Sequence, residues 1–142
     1  VAESLTGGNI AAKLVAIPGA SQVFMGSVTA YATRLKSEVL GVDPAVIERD
    51  TVVSEAVVRQ MAEGVRERLG TDIGIASTGI AQPGEETWPM AWLGYADQNG
   101  SVGINVRLLT KRAVNIDRAS ERALILAYKN LKSQIGVEAN SE

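Results

Sequence analysis

The stretch SEAVVRQMAEGVRERLGTDIGIAST, Ser54–Thr78, decides the architecture. Ser54 is an N-cap residue, and Val57, Met61, Val65 and Leu69 then recur every fourth position, which predicts one buried stripe on a long helix. Gly70 stops that helix. Asp72–Thr78 follows at once with β-branched and small residues and reads as a strand. A long helix running straight into a strand is the unit of a layered α/β protein.

The same alternation extends outward in both directions. Towards the C-terminus, Ala91–Ala96 and Val102–Leu109 read as two strands, joined at a hairpin signal, Gln98-Asn99-Gly100. A last helix is expected over Asp117–Ile135, with Ala123, Leu124, Ala127, Tyr128, Leu131 and Ile135 on its apolar side. Towards the N-terminus, Gly7–Ile17 predicts a helix closed by Pro18-Gly19, and Val23–Tyr31 a strand. Short helices are expected at Thr33–Leu40 and, opened by Pro44, at Ala45–Arg49. The hairpin makes the sheet mixed, so the expected fold is a three-layer α/β/α sandwich in one domain, residues 1–135, with a frayed polar tail at 136–142.

Composition narrows the chemistry. The 142 residues carry 14 Lys+Arg against 16 Asp+Glu, a net charge of −2 that argues against a nucleic-acid partner held by bulk charge. No apolar run approaches the ~18 residues that read as a membrane span, so no membrane partner is expected. There is neither Cys nor His. Disulfides are therefore absent, which suits a reducing cytoplasm. Zinc lacks its main donors, Cys thiolate and His imidazole, and no metal or cofactor is expected. Thiol proteases and Ser–His–Asp hydrolases are excluded. Any nucleophile here is most simply a hydroxyl, activated by Lys, Tyr or a carboxylate. Apolar helix faces on a small α/β domain also suggest a homo-oligomer.

Four constellations could carry such chemistry. Ser4, Thr6, Gly7 and Gly8 precede a helix, where free backbone amides suit an anion, or where Thr6 simply caps the helix. Tyr31 and Lys36 flank a strand–helix junction; a lysine desolvated beside a serine could take its proton, or both side chains could be ordinary surface and edge residues. Thr78-Gly79 ends a strand, where ligands of α/β sheets collect, and leads into a Gly/Pro-containing loop that also reads as a plain connection. Arg118, beside Asp117, could clamp an anion, or Asp117 could cap the last helix while Arg118 pairs with Glu121.

In order and spacing these segments resemble one family. Ala2-Glu3-Ser4-Leu5-Thr6-Gly7-Gly8, Pro18-Gly19-Ala20-Ser21, Val28-Thr29-Ala30-Tyr31, Lys36, Leu40-Gly41-Val42, Thr78-Gly79-Ile80-Ala81 and Asp117-Arg118 are similar to the CinA carboxy-terminal domain. That resemblance implies an α/β/α fold. It also implies an amidohydrolase that converts nicotinamide mononucleotide and water to nicotinate mononucleotide and ammonia, a step of pyridine-nucleotide recycling that needs no metal. By resemblance Ser4 is the nucleophile, Lys36 its base and Tyr31 an assistant, with Thr78 and Arg118 positioning the substrate, a small-molecule mononucleotide. Thr6, Gly7, Gly8 and Gly79, from the anion-binding turn and the strand end, are the further expected substrate contacts. The segment Gln82–Trp92 departs from the family's glycine-rich loop and brings in Glu85, Glu86, Trp88 and Trp92. A domain that keeps the nucleotide pocket but has shifted substrate or lost catalysis is the alternative.

Overall fold

The computed structural model describes residues 1–109 and 111–136. In chain order its elements are β1 (Ala2–Glu3), α1 (Asn9–Val15), a 3-10 turn at Ala20–Gln22, β2 (Val28–Thr29), α2 (Thr33–Glu38), α3 (Pro44–Asp50), α4 (Glu55–Leu69), β3 (Gly74–Ile80), β4 (Met90–Asp97), β5 (Gly100–Arg107) and α5 (Arg112–Gln134). The strands form one mixed sheet ordered β2-β1-β3-β4-β5. The strand β1 runs parallel to both β2 and β3, while β4 and β5 are antiparallel additions.

Side-chain alternation along the strands builds two cores. Ala2, Ala76 and Ala96 face Val57, Met61, Ala62 and Val65 of α4. Ile75, Leu93 and Tyr95 face Ile10 of α1 and Ala119, Ala123 and Leu126 of α5. Helices thus cover both sheet faces, and the α/β/α sandwich follows from the period-two strands meeting the period-3.6 helices. Small residues set the layer spacing. A Cβ on Gly74 of β3 would stand 2.0 Å from the Ala62 carbonyl oxygen of α4, and one on Gly64 of α4 would stand 1.9 Å from the Leu40 carbonyl oxygen. Only hydrogen at those positions lets α4 lie so close to its neighbours.

Local signals hold where they are self-contained. The Ser54 hydroxyl accepts from the Val57 amide at 3.3 Å, and Gly70 closes α4 in the left-handed region. Asp43 caps α3 by accepting from the Ala45 amide at 2.9 Å, with Pro44 in the first turn. Asp97 pairs with Gly100, so Gln98 and Asn99 form the two-residue hairpin loop.

Three expectations are corrected. The strand expected over Val23–Tyr31 is only Val28–Thr29, because its one neighbour, β1, offers two residues to pair with. Val23 is left 80% exposed despite its strand propensity. The first helix starts at Asn9 and not at Gly7, since Gly7 and Gly8 have φ of 61° and 108°. The last helix starts at Arg112, not Asp117. Its first turn is held by Asn115, which accepts from the Leu109 amide at 2.6 Å and donates to the Ala81 and Leu109 carbonyls. Asp117 therefore lies within the helix, and pairs with Lys13 of α1 at 2.7 Å instead of capping. The tail expected at 136–142 lies, Gly136 apart, outside the described residues.

Replacing Gly64 by Ala forces α4 off the Leu40 backbone. It is expected to cost about 1–3 kcal/mol, read as a lowered urea midpoint at unchanged slope. An unchanged midpoint would contradict the close approach described.

Candidate active site

Parallel pairing brings the site together. Glu3 of β1 is in register with Ser77 of β3, so the next residues, Ser4 and Thr78, emerge side by side at the carboxyl ends of these strands. Ligands of open α/β sheets collect at that position. The Ser4 amide continues the ladder by donating to the Ser77 carbonyl at 3.0 Å. Lys36 reaches the same point from α2, across the edge formed by β2. Its Nζ donates to the Ala30 carbonyl at 2.8 Å and to the Tyr31 carbonyl at 3.3 Å, and stands 3.0 Å from Ser4 Oγ.

Lys36 is 1% exposed. None of the ion pairs formed among the described residues involves it. Burial without a counter-charge disfavours the ammonium, and holds the Lys36 pKa below its ordinary 10.5. Once the amine is neutral, its two N–H bonds suffice for the two carbonyls. The lone pair is then left for the Ser4 hydroxyl proton. This is the arrangement by which an amine replaces imidazole beside a serine nucleophile.

A cavity of about 380 Å³ opens in front of the pair. Ser4, Tyr31, Lys36, Thr78 and Gly79 line it, together with Leu5, Thr33, Val52, Val53, Gln82 and Arg112. Tyr31 is 61% exposed, and its hydroxyl accepts from Arg112 Nη2 at 3.1 Å at the cavity mouth. Tyr31 thus touches the lysine through its backbone carbonyl and not through its phenol. The Thr78 hydroxyl donates to the Val52 carbonyl at 3.1 Å, fixing the α3–α4 connection as one wall. In that connection Thr51, with φ of 70°, is the one non-glycine residue with positive φ among the described residues. Such strain is costly for a β-branched residue and commonly accompanies functional sites.

The remaining expected site residues stand elsewhere. Thr6 is buried behind Ser4, and Gly7 and Gly8 form the turn into α1; none of the three lines the cavity. Arg118 is exposed on α5 outside the lining, and Arg112, where α5 begins, occupies the cavity mouth. Arg112 also donates to Gln82 Oε1 at 3.3 Å and has no carboxylate partner among the described residues. Arg112, Val52 and Val53 escape sequence reasoning, because only the early start of α5 and the Thr51 turn bring them here; Gln82 arrives with the loop that follows β3. Glu85 and Glu86 are exposed and do not line the cavity. Among the described residues no group of three His, Cys, Asp or Glu is placed to hold a metal ion. No described helix is long and apolar enough to cross a membrane.

These features define an α/β domain with a buried Ser–Lys pair at the carboxyl ends of its parallel strands. The family model for the CinA C-terminal domain matches residues 1–131, and the chain belongs to that family. A CinA-like protein of Salinibacter ruber is 44% identical over 134 residues, which take in 92% of this chain and 32% of that protein. One of Frankia casuarinae is 44% identical over 145 residues, covering 100% of this chain and 33% of that protein. The chain spans about a third of the length of these curated relatives. Among solved structures, a CinA superfamily protein of Klebsiella pneumoniae superposes with a TM-score of 0.87 at 29% identity, over 93% of this chain and 85% of that one. One of Escherichia coli gives 0.82 at 28% identity, over 87% and 74%.

Lys13 and Lys36 should depart from the ordinary lysine pKa in opposite directions. Lys13, hydrogen-bonded to Asp117, is held above 10.5, whereas Lys36 is pushed below it. NMR titration of the lysine side-chain nuclei checks this, and a Lys36 signal titrating at or above 10.5 would contradict an unpaired buried amine.

Proposed function

We propose that this domain hydrolyses the carboxamide of nicotinamide mononucleotide, releasing ammonia and leaving nicotinate mononucleotide. The observation that carries the reading is the 3.0 Å contact between Lys36 Nζ and Ser4 Oγ inside a cavity. Neutral Lys36 removes the Ser4 proton as Oγ adds to the carboxamide carbon. The resulting ammonium returns a proton to the departing nitrogen, so ammonia leaves and an acyl ester remains on Ser4. Water then adds to the ester, giving its proton to Lys36, and collapse releases the carboxylate and restores the serine. One water is consumed and one ammonia produced, with no redox change.

Arg112 supports the choice of an anionic substrate. Its guanidinium sits at the cavity mouth, held by Tyr31 and Gln82 and unneutralised by any carboxylate among the described residues. A phosphate is the group best matched to such a planar donor fork. Glu85 and Glu86 lie outside the lining and do not oppose it. A cytoplasmic setting fits a cysteine-free chain acting on a metabolite of this kind.

Ammonia release from nicotinamide mononucleotide tests the reading. Ser4→Ala and Lys36→Ala are each expected to lower kcat by about 10²–10⁴-fold. Arg112→Ala is expected to raise KM about tenfold with a smaller effect on kcat, since it removes a charge-assisted contact to the phosphate. Turnover retained in both Ser4→Ala and Lys36→Ala would overturn the proposal. Activity should rise with pH through the lowered Lys36 pKa, because the base acts only when deprotonated.

A further inference from the structure

Glu3 is a wholly buried carboxylate next to the nucleophile, and the reaction just described gives it no part. Its surroundings are all donors. Glu3 Oε1 takes the Thr6 hydroxyl at 2.6 Å and the Ile10 amide at 2.8 Å, and Oε2 takes the Ala11 amide at 3.0 Å. Thr6 Oγ1 lies 2.7 Å from Ser77 Oγ, and the Ser4 amide lies 3.3 Å from that same Ser77 oxygen.

A carboxylate with a backbone amide on each oxygen is an acceptor only, and this fixes every proton in the chain. Thr6 must donate to Glu3. Thr6 then has only lone pairs for Ser77, so the Ser77 hydroxyl must donate to Thr6. Ser77 in turn is left with lone pairs facing the Ser4 amide. We infer that Glu3, Thr6 and Ser77 form a proton-ordered relay of positioning residues that holds Ser4 where Lys36 can activate it. The inference rests on Ser4 being the nucleophile, but not on the identity of the substrate.

The relay also places charge. Ser4 faces Lys36 on the α2 side of the sheet, whereas the Glu3 side chain is tied to the first turn of α1 on the other. The carboxylate adjacent in sequence to the nucleophile is therefore kept from pairing with the amine, which must lose its proton to act as a base.

The test reads Ser4 directly, through its rate of covalent modification by a fluorophosphonate, followed by mass spectrometry. Thr6→Val keeps the side-chain shape but removes the hydroxyl that links Glu3 to Ser77; it should slow modification about tenfold or more, acting through displacement of the nucleophile. Thr6→Ser restores that hydroxyl, and should return the rate to within about twofold of the wild type, the small residue reflecting lost methyl packing. Glu3→Gln, whose amide would face the Ala11 N–H, should fall between the two. Val65→Ala, which weakens the opposite core, separates positioning from general destabilisation: it should lower the melting temperature and leave the modification rate of the folded protein unchanged. Folding of each variant is verified by near-ultraviolet circular dichroism. A folded Thr6→Val protein modified at the wild-type rate overturns the relay, as does a wild-type Ser4 that reacts with no such probe. Wild-type protein that releases no ammonia from the mononucleotide, yet shows this order of rates, overturns the substrate assignment and upholds the relay.

Discussion

An amine buried without a counter-ion is the constraint on which the site depends. Water would stabilise the Lys36 ammonium far better than two backbone carbonyls and a serine hydroxyl do. The protein keeps it in place because the side chain is buried, and because every polar contact it makes is to a group whose own position is fixed. The Ala30 and Tyr31 carbonyls belong to the strand end leading into α2, and Ser4 is held by β1 in the sheet. The lowered proton affinity of the amine is thus a consequence of the fold, with no histidine required.

The scaffold explains why so short a strand as β1 can carry a nucleophile. Two residues of β1 are flanked on both sides, by β2 through Val28 and Thr29 and by β3 through Ala76 and Ser77. Glu3 adds the first turn of α1 as a third attachment. The long α4 then presses on the opposite face at the glycine contacts, leaving β3 little freedom to shift relative to β1. Rigidity at Ser4 therefore comes from neighbours on several elements, as a preorganised site requires.

Much of this was legible in the chain wherever the signal was local. The Ser54 cap, the i+4 ladder of α4, Gly70 and the hairpin at Gln98–Asn99 each specify their element through contacts within a few residues. What depends on distant partners was not legible. Val28–Thr29 is short because β1 is short, a fact no propensity in Val23–Tyr31 contains. The start of α5 depends on Asn115 bonding the Ala81 and Leu109 carbonyls, so from sequence Asp117 reads as a cap and nothing brings Arg112 to the cavity it lines. The absence of His and Cys pointed to a hydroxyl with a non-imidazole base, yet only the family resemblance joined Ser4 to Lys36 across the intervening residues. Glu3 gave no signal beyond its place in the motif, since burial of a carboxylate cannot be read from its neighbours in sequence.

The location of one proton tests the central claim most directly. Neutron diffraction from crystals held at pH 10.5, the ordinary lysine value, would show it. The account predicts a neutral Lys36 amine with its two N–H bonds directed at the Ala30 and Tyr31 carbonyls, and the Ser4 hydroxyl proton directed at Nζ. A fully protonated Lys36 under those conditions, or a Ser4 hydroxyl turned away from it, would contradict the account.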